Sequence, residues 1–165
     1  MCSYVQYPIS VRKGATLNIE DGADIGPFAG EAAINLEQGS VLNMNGGTIT
    51  GTKDKMYYST CGIHATGKSV INMTGGTITG CAAYFGGAIA AYDGSEVNLS
   101  GGTISNNISG AGGGILSSEP RTRLLKSSFM SRTAVLDSSL MCVVPASPAG
   151  TSSEMDSDRE GRQPH

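Results

Sequence analysis

Ser69-Val70-Ile71-Asn72-Met73-Thr74-Gly75-Gly76-Thr77-Ile78-Thr79-Gly80 is one of three closely similar stretches in the chain. The others are Ser40-Val41-Leu42-Asn43-Met44-Asn45-Gly46-Gly47-Thr48-Ile49-Thr50-Gly51 and Ser95-Glu96-Val97-Asn98-Leu99-Ser100-Gly101-Gly102-Thr103-Ile104-Ser105-Asn106, at spacings of 29 and then 26 residues. A repeat of that length is one supersecondary unit stacked on copies of itself, because a single unit has no partner for its apolar face. Inside the unit, Leu42-Asn43-Met44, Ile71-Asn72-Met73 and Val97-Asn98-Leu99 alternate with the period of two of a half-buried strand. Asn then points out and its neighbours point in. Two glycines mark a sharp corner that tolerates positive φ. A second short strand follows at Thr48-Ile49-Thr50, Thr77-Ile78-Thr79 and Thr103-Ile104-Ser105, with Ile inward and the hydroxyls outward.

A third apolar position, Ile34, Ile63, Ile89 and Ile115, recurs at 29, 26 and 26 residues. Three short strands per turn predict a triangular coil. The β-branched content, the glycine density and the lack of a 3.6-residue period exclude a helical solenoid. The expected fold is all-β: a right-handed parallel β-helix, or β-solenoid, of about four coils of 25–29 residues, with a poorly structured C-terminal tail.

Outside the three copies, residues 1–13 read as a lead-in or partial cap in which Val5, Ile9 and Val11 add a degenerate rung. The β-helix is expected over 14–116. Leu17-Asn18-Ile19 matches Leu42-Asn43-Met44, and Ile25 falls near the place of Ile49 although the Gly-Gly-Thr element is missing there. The extra residues of the second coil fit a loop at 52–58. After Ile115 the next Ser is due near position 121, but the composition changes instead. Of 24 glycines 22 precede residue 117, as do all eight asparagines, whereas five of six arginines and four of six prolines follow it. Residues 117–165 are therefore expected to be a non-repeat tail, either disordered or read from a shifted frame, with a Ser-rich linker after a short helix at 122–130 as the plainer alternative.

Charged residues are 15% of the 165, the net charge is −3, and aromatic residues are 5% with no Trp. This composition argues against a nucleic-acid partner. No apolar run is long enough for membrane insertion as a helix. The first eight residues show no signal peptide pattern. Cys2, Cys61, Cys81 and Cys142 lack metal-type spacing; Cys61 and Cys81 fall near one corner, as a bridged pair or as two ordinary small residues.

The Gly-Gly-Thr-Ile-(Thr/Ser) element after an apolar-Asn-apolar strand, with the closing Gly-Gly-x-Ile, resembles the right-handed parallel β-helix repeats of bacterial surface and adhesin-like proteins within the pectate-lyase-like superfamily. The resemblance spans about residues 14–115 and implies a secreted or cell-surface parent protein, hence an extracellular location. It leaves function open, since the fold carries enzymes, adhesins and stalks alike. Lyases and hydrolases of this fold need clustered acids. Here Glu20, Asp21, Asp24, Glu31, Glu37, Asp54, Asp93 and Glu96 do not recur at equivalent positions, and Arg12 is the only arginine before the tail. No catalytic residues, metal ligands or cofactor are expected; the 20–24 corner reads as a solvated turn rather than a calcium site.

His64 corresponds to Ala90 in the next coil and reads as a surface side chain. Tyr57, Tyr58, Tyr84 and Phe85 read as loop packing or as an exposed patch for sugar stacking. The outward hydroxyls are the expected binding residues: Thr48, Thr77 and Thr103 in one row, with Thr50, Thr79 and Ser105 in a parallel row about 7 Å away. The expected role is a structural and interaction segment that binds polysaccharide or a host or cell-wall glycan, without catalysis, and associates end to end through open strand edges. The alternative is a fragment of a polysaccharide-active enzyme. A smaller one is ice binding through the stacked Thr rows, which resemble the ice-binding faces of some β-solenoid antifreeze proteins.

Overall fold

The computed structural model describes residues 7–28, 30–52, 61–111, 114–117, 122–124 and 141–143. These residues form a parallel β-solenoid of about four turns, with no helix among them. Every strand pairing is parallel, as stacking of one repeat on the next requires.

Three sheets run along the coil. The first holds β1 (Ile9–Val11), β4 (Ala32–Leu36), β7 (Cys61–Ala65), β11 (Ile89–Ala91), β15 (Ile115–Ser117) and β17 (Met141–Val143). The second, the Asn face, holds β2 (Thr16–Ile19), β5 (Val41–Met44), β8 (Val70–Met73), β12 (Glu96–Leu99) and β16 (Thr122–Leu124). The third, the Thr face, holds β3 (Asp24–Ile25), β6 (Thr48–Thr50), β9 (Thr77–Thr79) and β13 (Thr103–Ser105). The expected correspondences hold residue for residue. Ile34, Ile63, Ile89 and Ile115 form one column, and Ile25 pairs directly with Ile49.

Period-two burial follows from this register. Leu42, Ile71 and Val97 stack inside with Met44, Met73 and Leu99, while Ile49 and Ile78 lie behind the Thr face, and all are buried. Each fully buried aliphatic side chain contributes roughly 1.5–3 kcal/mol, so the stack rather than any one coil holds the fold. The inward serines that open each repeat are also satisfied. Ser69 and Ser95 share a hydrogen bond at 3.2 Å, and Ser40 donates to the Glu37 carbonyl at 2.7 Å.

The two glycines of each corner serve different purposes. Only the second adopts positive φ, at 74° for Gly47, 79° for Gly76 and 86° for Gly102. The first is required by close approach: a Cβ on Gly75 would overlap the Asn45 carbonyl oxygen, and one on Gly101 the Thr74 carbonyl oxygen.

One element departs from the three-strand coil. β10 (Ala82–Phe85) and β14 (Ile108–Ala111) pair as a fourth, two-stranded sheet. Asn107 fixes it to the coil below: its Oδ1 accepts from the Cys81 backbone N–H at 3.0 Å, and its Nδ2 donates to the Ile78 carbonyl at 3.0 Å. Cys61 and Cys81 are buried and free, so the two are not bridged. Beyond residue 117, the backbones of β16 and β17 pair in register with β12 and β15. The rest of 117–165, with Val5 and the 53–58 part of the expected loop, lies outside the described residues.

Candidate functional site

The Thr face assembles the six hydroxyl residues expected from the sequence. Thr48, Thr77 and Thr103 are successive partners in the ladder, as are Thr50, Thr79 and Ser105. Thr103 is exposed and the other five are half-buried. None of the six hydroxyls has a hydrogen-bond partner among the described residues.

The head of the first row is an acid. Asp24 pairs with Thr48 and continues that row outward. Asp21, Asp24, Thr48 and Thr50 line an open cleft of about 510 Å³ with the backbone of Gly47 and Gly76. Reading the acids as scattered corners missed this placement. The signal was present, because matching Ile25 to Ile49 puts Asp24 where Thr48 stands. At the same corner Glu20 accepts a hydrogen bond from Asn45 Nδ2 at 2.9 Å, and no group of three His, Cys, Asp or Glu poised around a metal occurs among the described residues.

The Asn face behaves differently. Asn43 Nδ2 donates to Asn18 Oδ1 at 2.8 Å, Asn72 to Asn43 at 2.9 Å, and Asn98 to Asn72 at 3.0 Å. Its amides bond one another from coil to coil.

A second concavity lies on the outer side of the first sheet. The outward row there runs Asn35, His64, Ala90, Leu116. The step from imidazole to methyl at Ala90 leaves a hollow of about 160 Å³, lined by Tyr7, Glu31, His64, Phe85 and Tyr92 with Cys61 among its walls. His64 is therefore not a lone surface side chain. Its Nδ1 lies 3.0 Å from Asn35 Oδ1, its ring is 15° from parallel to Tyr7 at 6.3 Å, and it tilts 49° to Tyr92 at 5.6 Å. Tyr7 donates to Glu31 Oε2 at 2.7 Å.

Burial lowers the His64 pKa below its ordinary value, and the Glu31 and Asp93 charges only partly offset this. Burial also raises the Cys61 thiol to about 12, with a further push from Cys81, so it stays protonated at neutral pH. Tyr84 and Phe85 stand exposed on β10 rather than packed onto the corner, and Tyr57 and Tyr58 lie outside the described residues. No protein-family model matches the chain, and no curated protein or solved structure matches it either.

Proposed function

We propose that this solenoid is a structural and interaction segment of a bacterial cell-surface or secreted adhesin-like protein of the pectate-lyase-like superfamily, binding polysaccharide or a host or cell-wall glycan along its Thr face. The observation that carries the reading is the pair of in-register hydroxyl rows that have no hydrogen-bond partner among the described residues and run into the Asp21/Asp24 cleft. A glycan presents repeated hydroxyls that both donate and accept. Threonine hydroxyls at fixed spacing match them, and the two carboxylates accept from sugar hydroxyls at one end. β1, β2 and β3 each pair on one side only among the described residues, which supports end-to-end association.

Affinity electrophoresis through gels containing soluble polysaccharides tests the binding. The chain is expected to be retarded by at least one of them. The Thr50→Val, Thr77→Val, Thr79→Val triple variant should lose that retardation while keeping its β circular dichroism. Equal retardation of the folded triple variant would remove the Thr face from the reading.

The enzyme alternative draws on Asp21 and Asp24 lining the same cleft. Incubation with the retarding polysaccharide should yield no new reducing ends. Product that disappears in Asp24→Asn would replace binding with catalysis.

A further inference from the structure

The hollow on the first sheet has a chemistry unlike that of the Thr face. Three aromatic rings, Tyr7, Phe85 and Tyr92, line it together with one carboxylate, Glu31. Tyr7 and Tyr92 pack on a floor of small buried side chains, Ala32, Cys61, Ala83 and Ala90. The hollow lies where Ala90 follows His64 in the outward row, a step from imidazole to methyl that occurs once among the described residues of that row. From this geometry we infer that the hollow is a binding site for a small organic cation, an alkylated ammonium group, seated against the Tyr7, Tyr92 and Phe85 rings and balanced by Glu31.

The electron-rich faces of aromatic rings attract a cation, and attract a methylated one with little loss of hydration. The second contribution is charge. His64 is held toward its neutral form and the Cys61 thiol stays protonated, which leaves Glu31 as the charged lining side chain at neutral pH. A neutral sugar suits the site less well, because the walls present rings and methyl groups where a sugar needs several polar partners. The Tyr7 hydroxyl donates to the Glu31 carboxylate at 2.7 Å and holds it in place. This inference does not depend on glycan binding by the Thr face.

The test uses choline and its uncharged isostere 3,3-dimethylbutan-1-ol, each titrated into the unmodified chain at constant ionic strength while the His64 ring protons are followed by NMR. Choline is expected to give a saturable shift with a Kd near 1 mM, as an order of magnitude for a ligand of this size, and the isostere to bind at least about tenfold more weakly. Glu31→Gln and Tyr92→Leu, each checked for an unchanged β circular dichroism spectrum, should weaken choline about fivefold or more. Three results would overturn the site: no saturable shift with choline, equal affinity for the isostere, or choline binding unchanged in both folded variants. The comparison of the two ligands needs no variant, so it stands even if one of the substitutions fails to fold.

Discussion

The Asn face and the Thr face share one backbone geometry and put it to opposite uses. Both are parallel ladders of outward polar side chains in strict register. On the first, each amide reaches its copy on the next coil at 2.8–3.0 Å, because donor and acceptor sit at the end of a two-carbon arm. On the second, the six hydroxyls have no hydrogen-bond partner among the described residues. A stacked solenoid face is thus a structural seam where its side chains bond one another and an open lattice where they do not.

That contrast can be broken from behind. Ile78 is fully buried between Thr77 and Thr79, and Ile78→Asp places an unpaired charge in the stack. The expected cost exceeds about 4 kcal/mol and unfolds both faces together. A variant that kept its full β circular dichroism would refute the coil assignment. Gly75→Ala comes next, at about 3 kcal/mol, because its Cβ meets the Asn45 carbonyl oxygen of the preceding coil. Urea unfolding measures it, and a loss below about 0.5 kcal/mol would mean that the corner relaxes freely.

The faces themselves are compared by Asn72→Ala and Thr77→Val. Asn72 donates to Asn43 and accepts from Asn98, so removing it breaks two ladder bonds and costs about 2 kcal/mol. Thr77→Val removes a hydroxyl with no partner among the described residues and should change stability by no more than about 0.5 kcal/mol. Equal urea midpoints for the two variants would erase the distinction.

The row of Asn35 and His64 offers a gentler probe through pH. Burial depresses the His64 pKa below 6.5, against the pull of Glu31 and Asp93, with Tyr7, Tyr92 and Cys61 as the other titratable groups around the ring. The unfolded chain therefore takes up a proton at this site before the folded chain does. Stability from the neutral imidazole is complete above pH 6.5 and falls as pH drops through the lower folded value. His64→Asn should flatten that part of the curve of melting temperature against pH. A curve identical to that of the parent would show that the imidazole is not responsible.

Much of the coil was legible because its pattern is periodic. Three copies of one stretch set the register of the Asn and Thr faces, and the Ile34 column set the first sheet. What escaped depends on residues that do not recur. Strands 82–85 and 108–111 form a fourth sheet outside the repeated three, and Asn107 anchors them by side-chain bonds that leave no periodic trace. The aromatic hollow gathers Tyr7 from the lead-in, Glu31 before one strand and Tyr92 after another, each at a position that a different residue type occupies in the neighbouring coils. The partner of His64 was readable, since matching Ile34 to Ile63 sets Asn35 beside it. Comparison with Ala90 alone concealed it.

The Gly-Gly corners form a vertical column that fixes where the chain can change length. The second coil is three residues longer than the third, 29 against 26, and the difference falls between Thr50 and Ile63, away from the glycines. A tandem copy of residues 69–94 would therefore splice in as one more turn, adding a hydroxyl to each row and lengthening the molecule by about 4.8 Å without disturbing its neighbours. Reach and valency would then rise together in whole steps, one genetic duplication at a time.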